Sequence, residues 1–440
     1  MTPEPKIMNA VEQLGYRVTV GDVAARAGLN INLAEQGLLA LASEASGHLQ
    51  VAESGEIAYL FPKNFRAILR NKFLRLRLQE WWGKIWRVLF YLIRISFGIL
   101  LLLSIVLIFL AIAIIVISIN SSNDNDSGSG GGSGSDRGGG GISVIPYFWG
   151  PDIFWFFDPG YDERRYRRQR ASSPKSEMNF LEAIFSFLFG DGNPNADLED
   201  RRWQEIGAVI RNARGAIAAE QIAPYLDNLG EGYQRESEDY ILPVLTRFNG
   251  RPEVSPDGEI VYHFPELQTT TQQEHSQPVP SYLRERLWRF SGASSGQIIL
   301  AIGLGGINIV GALVLASLLR GGEIAAQLGG LVGFVASIYW LLLGYGIGFL
   351  GIPLIRYFWI QWKNSQIEAR NQQRQREVLA LERPSTNLQN KIAYAQQFAA
   401  QHVIHQEDLV YTSERDLLDQ EIERKEQIDA EWQRRLESGS

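Results

Sequence analysis

The sequence predicts an α-rich, multi-domain membrane protein: two winged-helix-like α+β modules, about three transmembrane α-helices and a helical C-terminal tail. Three observations predict it. The octapeptide GEIAYLFP, Gly55 to Pro62, returns as GEIVYHFP, Gly258 to Pro265, 203 positions later. Each copy closes a segment with the same succession of periodicities. After each copy comes an apolar run of membrane length.

Residues 1–62 form the first module. EPKIMNAVEQL has helical spacing, YRVTV is β-prone, VGDVAARAG is a short amphipathic helix ended by Gly28, and NLAEQGLLALASEASG is a longer one ended by Gly47. HLQVAESGEIAYLFP then alternates and turns as a β-hairpin does. That order is a helix-turn-helix followed by a two-stranded wing. In the octapeptide, Gly supplies the positive φ of a tight turn. Ile57, Tyr59 and Phe61, two residues apart, share the strand face that can pack on helices, and Pro62 ends the strand.

Residues 63–119 approach and enter a bilayer. Nine Lys/Arg against one Glu lie between Lys63 and Arg94, interleaved with Trp81, Trp82, Trp86 and Leu. A helix of this kind, with Arg87 beside its tryptophans, suits the headgroup level. Ile95 to Ile119 are 25 consecutive uncharged positions, enough to span. Residues 120–141, rich in Gly and Ser, read as a flexible linker. Residues 142–200 carry ISVIPYFWGPDIFWFFDPGY, then the basic Arg164 to Arg170, then MNFLEAIFSFLFG. Trp149, Trp155, Arg164 and Arg165 are the membrane-interface candidates here, and all three stretches suit lipid or a membrane partner.

Residues 201–268 repeat the first module: RRWQEIGAVIRNARG, AIAAEQIAPYLDNLG and GYQRESEDYILPVLTRFNG read as three helices, and RPEVSPDGEIVYHFP as the wing. Val18 and Val23 match Ile217 and Ile222, so the second copy carries extra residues at its helix-turn. Residues 282–363 begin with the interfacial SYLRERLWRF, which contains Trp288, and continue into the apolar runs Gln297 to Leu319 and Ile324 to Ile355. Gly303, Gly305, Gly306 and the pairs Gly329/Gly333 and Gly344/Gly348 permit close helix packing. Residues 364–440 read as a polar helical tail broken at Pro384. Its stripe of Leu418, Ile422, Ile428, Trp432 and Leu436 is irregular and shows no sustained heptad.

The chemistry is sparse. Cysteine is absent, which excludes disulfides and thiolate-ligated zinc or iron–sulfur clusters. His402, His405 and Glu407 form H-x-x-H-x-E, read on a helix, which a metal could use but surface side chains match as well. No Ser/His/Asp set, buried carboxylate pair or nucleotide loop stands out, so a non-enzymatic protein with no cofactor and no metal is expected. Net charge is -7. The first module carries three basic and seven acidic residues, the second seven and eleven. Helices that grip DNA bring Arg and Lys to phosphate, whereas Asn32–Ala45 has Glu35, Glu44 and no base. Its counterpart has Glu231, Glu236, Glu238 and Asp239 against Arg235 and Arg247. Glu35, Glu44, Glu236, Glu238 and Asp239 are therefore partner-binding candidates for protein, and nucleic acid is disfavoured.

The repeated GEIxYxFP, IPYFWGPDIFWFFDPGY and LVYTSERDLLDQE resemble a family of cyanobacterial integral membrane proteins with plant plastid relatives. Some relatives carry a loose label of iron–sulfur cluster biosynthesis. The resemblance implies a thylakoid or plasma membrane, with the modules on the cytoplasmic or stromal side. A scaffold or assembly factor is the expected function; an oligomeric channel component, or a membrane-tethered DNA-binding regulator, are the alternatives. Positive flanking charge puts both modules and the tail on one side. A single span between the modules then requires residues 142–157 to re-enter, or the second module to sit opposite.

Overall fold

The computed structural model describes residues 4–72, 74–123, 178–230, 232–271, 278–319 and 327–438. It is mostly helical with small sheets, and the chain divides into two compact units. One unit comprises 1–83, 193–287 and 364–440; the other comprises 84–192 and 288–363.

The first unit opens with α1 (Pro5–Gln13), β1 (Arg17–Thr19), α2 (Val20–Ala27), α3 (Ile31–Glu44), β2 (His48–Ala52) and β3 (Ile57–Leu60). Local signals explain each boundary. Pro5 sits in the first turn of α1. Thr19 and Asp22 form a reciprocal capping box at α2, and Gly28 closes that helix in the left-handed region. Asn30 caps α3. Gly55 takes φ +83° at the hairpin turn, and Gly258 takes +85° at the equivalent place. Tyr59 and Phe61 are buried in the shared core, as are Tyr262 and Phe264. Ile57, beside the turn, is exposed instead.

Chain order continues with α4 (Phe65–Lys72), α5 (Leu74–Asn123) and α6 (Phe180–Phe189), then the second copy. Here α7 (Leu198–Asn212) precedes β4 (Ala216–Ile217). The second and third helices read from sequence in this copy do not form as such. AIAAEQIAPYLDNLG supplies β4 and two 3-10 turns, Ala219–Gln221 and Ala223–Tyr225, because Pro224 has no N–H to continue a helix. The next stretch splits into α8 (Tyr233–Glu236), a 3-10 turn at Asp239–Ile241 and α9 (Leu242–Phe248). Glu238 breaks it by adopting φ +57°. The wing, β5 (Arg251–Val254) and β6 (Ile260–His263), follows, then α10 (Pro265–Gln268) and β7 (Thr269–Thr270).

Among the described residues, three helices are long and apolar enough to cross a membrane: α5, α11 (Ser295–Leu318) and α13 (Tyr339–Glu382). The third apolar run breaks at Ile338, which separates α12 (Gly330–Ser337) from α13. Within the second unit, Ile108, Ala111 and Ile115 pack with Ala312, Leu315, Val332 and Val335. Helix α6 packs within this unit. Its Ile184, Phe187 and Leu188 are buried with Leu101, Ala301 and Phe349. Of the span glycines, Gly305 does admit close packing: a Cβ there would lie 2.7 Å from Phe349. Gly303, Gly306 and Gly344 face open space.

The tail is where sequence and structure part most. After α14 (Thr386–Ala395) come β8 (His402–Val403), β9 (Leu409–Thr412) and α15 (Leu417–Ser438). Strand β9 pairs antiparallel with β2, giving a four-stranded sheet in the order β1-β3-β2-β9. Strand β8 runs parallel to β7. The other sheet has the order β4-β6-β5. Thus His402, read on a helix, lies in a strand, and the helical expectation for 402–412 fails. Leu409-Val410-Tyr411-Thr412 is a β-prone run whose partner edge is some 360 residues away.

Candidate functional site

The two repeats share one core. Ile7, Val11, Val23 and Leu38 of the first are continuous with Ile206, Ile210, Phe248 and Phe264 of the second. Helices α2 and α7 make the seam, and they approach closely because the seam has no side chains to spare. A Cβ on Gly207 would lie 2.9 Å from the Ala25 Cα, and one on Gly21 would lie 1.8 Å from the Glu266 carbonyl oxygen.

A buried carboxylate locks the seam. Asp22 is fully buried. It accepts hydrogen bonds from Thr19 N (3.0 Å), Thr270 Oγ1 (2.8 Å) and Thr271 N (3.2 Å), and pairs with Arg211 Nη1 at 2.7 Å. The same side chain therefore caps a helix of the first repeat and holds a helix and a strand of the second. A buried carboxylate with this many donors is satisfied and structural.

Further ion pairs join the tail and the end of α13 to the second repeat. Lys391, almost wholly buried, bonds Glu220 at 2.9 Å and also Glu238. Burial raises the Glu238 carboxyl, with Lys391 pulling the other way. Burial alone would lower Lys391, but Glu220 and Glu238 together lift it above its ordinary value. Buried Arg374 pairs with Asp227 and, at 3.0 Å, with Glu285. Glu285 also takes Arg370 at 2.6 Å. Burial would raise its carboxyl, but Arg370 and Arg374 hold it below the usual range. The cleft lined by Asp227, Arg370, Arg374 and Glu377 is too small for a substrate.

The five acidic partner candidates divide. Glu35, Glu236 and Asp239 are exposed, and Glu44 is half-buried. Glu238 is turned inward, taken by Lys391 and by Tyr262 Oη at 2.9 Å, so it is a strut of the fold. Sequence pattern missed the apolar side chains beside the others. Leu33 and Leu39 are exposed on α3, Tyr233 on α8 and Leu242 on α9. Helix α9 meets the cap of α3 and helix α7: Asn30 Nδ2 donates to the Thr246 carbonyl at 3.1 Å, and Arg247 stacks 4.0 Å over Trp203 while donating to the Gly28 carbonyl. Exposed leucines stand among acids here, and α3 carries no Arg or Lys. The outer edge of the β2–β3 hairpin is covered by β9.

Of the membrane-interface candidates, Trp81, Trp82, Trp86 and Arg87 are exposed on α5. Trp288 is half-buried and packs edge-on against Trp359, 5.3 Å between centroids. Trp149, Trp155, Arg164, Arg165 and the whole 142–157 segment lie outside the described residues. Within the second unit, Ser104 Oγ donates to Asn308 Oδ1 at 2.8 Å, both buried. Asp191 accepts from Gly292 N (2.6 Å) and Ser186 Oγ (2.9 Å) and faces Arg94 at 3.3 Å, which pins the end of α6 to the starts of two spans. His402, His405 and Glu407 are not drawn together: among the described residues no group of three His, Asp or Glu could hold a metal.

The chain is 38% identical over 445 residues to the uncharacterised chloroplast protein At5g03900 of Arabidopsis thaliana, a match covering 98% of this chain and 82% of that one. The chain belongs to the family of that chloroplast protein. No family model matches the sequence. No solved structure matches it. Membership of the At5g03900 family extends over both repeats, the spans and the tail, since nearly the whole chain is aligned.

Proposed function

We propose that the protein is a membrane-anchored, non-enzymatic scaffold or assembly factor that binds protein through its duplicated modules. The observation that carries this reading is the fused pair of modules whose exposed helices present leucine and carboxylate together: Leu33, Glu35 and Leu39 on α3, and Tyr233, Glu236 and Leu242 on α8 and α9. We read the first module, with its helix, strand, two helices and hairpin, as winged-helix-like, a fold used on proteins and on DNA. The acidic surface favours protein, since phosphate is repelled. One hydrophobic core joins the modules, which favours a common side for them, and we place both on the stromal or cytoplasmic side of a thylakoid or plasma membrane. An iron–sulfur connection survives only as an accessory role to another protein, for want of cysteine.

The experiment is affinity purification of the tagged full chain from native membranes in mild detergent, beside the double variant Leu33→Asp/Leu39→Asp. A stoichiometric protein recovered with the parent and lost from the folded variant supports the reading. Recovery of the chain alone would sink it. Salt-sensitive retention on duplex DNA would favour the tethered regulator, and ion or solute flux in vesicles the channel component.

A further inference from the structure

Helix α15 is rooted in the first unit by Gln420, whose Nε2 donates to the Thr412 carbonyl at 2.8 Å and whose Oε1 accepts from Thr412 N at 2.9 Å. Its apolar face is open to solvent: Leu418 is 66% exposed, Ile422 57% and Trp432 61%. At 100° per residue, Leu418, Ile422, Lys425, Asp429, Trp432 and Leu436 fall on one stripe, in alternating steps of four and three. That is the a/d seam of a coiled coil, hidden in the sequence because its two central layers are charged. The stripe reads the same from either end about Gln427. Leu418 mirrors Leu436, Ile422 mirrors Trp432, and Lys425 mirrors Asp429.

We propose that α15 is a self-association surface, pairing antiparallel with α15 of a second copy of this chain. In an antiparallel pair the a layers face d layers of the partner helix. Apolar residues then meet apolar residues at both ends, and Lys425 meets Asp429 twice at the centre. A parallel pair would set Lys against Lys and Asp against Asp, which costs stability. A lipid surface fits worse, because Asp429 stands in the middle of the apolar face and would be carried into the acyl layer. Six layers make a short, weak coil, but two copies anchored in one membrane meet at high effective concentration. The surface is separate from α3, α8 and α9, so it stands or falls apart from the scaffold reading.

The absence of cysteine gives a clean test on the full chain in nanodiscs. One copy carries Leu418→Cys and a differently tagged copy carries Leu436→Cys. Under mild oxidation the mixture forms a disulfide between the two tags, while neither copy cross-links to itself, because matching positions lie about 27 Å apart in an antiparallel pair. Efficient cross-linking of the Leu418→Cys copy with itself would overturn the antiparallel pairing, and absence of cross-links in the mixture would overturn the pairing altogether. Separately, Lys425→Asp weakens self-association by about tenfold or more, the effect of opposed like charges. Adding Asp429→Lys restores it, as an antiparallel seam requires. A Lys425→Asp chain that associates like the parent, or a double swap that fails to recover, refutes the proposal.

Discussion

Replacing Asp22 by Ala removes one carboxylate and strands four donors. Thr19 N, Thr271 N and Thr270 Oγ1 lose their acceptor, and Arg211, its side chain 17% exposed, keeps a charge with no counter-charge at 2.7 Å. Breaking one partner of a buried ion pair costs about 3–5 kcal/mol, and the lost helix cap lies within that figure at about 1 kcal/mol. A loss near 4 kcal/mol corresponds to roughly a thousandfold rise in the open population. Hydrogen exchange reads this directly, because the Thr19 and Thr271 amides donate to the missing group. Both should exchange about a thousandfold faster, and together, since one carboxylate holds both repeats. Adding Arg211→Met removes the stranded charge, so the double variant should cost at least about 1 kcal/mol less than the sum of the singles. Protection unchanged at either amide, or strictly additive singles, would refute the claim that this buried group locks the two repeats together.

Gly21→Val should be among the most damaging substitutions in the chain, because a Cβ there would collide with the Glu266 backbone oxygen at 1.8 Å. Limited proteolysis should then cut 201–268 at concentrations of protease that spare the parent. Leu33→Asp/Leu39→Asp should leave the melting temperature within about 2 °C of the parent, since surface changes are nearly neutral, while abolishing partner recovery. The Glu205 carboxyl is pushed up to about 7 by burial, with Arg201 and Arg374 drawing it partly back. A raised folded pKa stabilises the fold in full below the unfolded value of about 4.3 and ceases to do so as pH rises through about 7. Glu205→Gln should therefore flatten thermal stability between pH 5 and 8 and gain on the parent at pH 8; an unchanged pH profile would count against this burial.

The local elements of the first repeat were legible because their signals are short-range. Thr19 with Asp22, Gly28, Asn30 and Gly55 act within four residues, so caps and turns announce themselves in the string. Three membrane-length apolar helices were equally plain, since span length follows from bilayer thickness alone. The second repeat was harder: Pro224 and Glu238 fragment its helices, and Glu238 bends because Lys391, 153 residues on, holds its carboxylate. The acids singled out from sequence were a mixture of surface groups and struts for the same reason. Charge type is written in the chain, while the partner that takes up the charge is not.

The repeated octapeptide, the acidity and the apolar runs of membrane length were thus legible in the order of residues. Tertiary structure decided that the two repeats share one core around Asp22, and that the tail contributes strands to β2 and β7. Such pairings depend on backbone edges and buried charges that any suitable segment could satisfy. Only the folded chain selects which segment does.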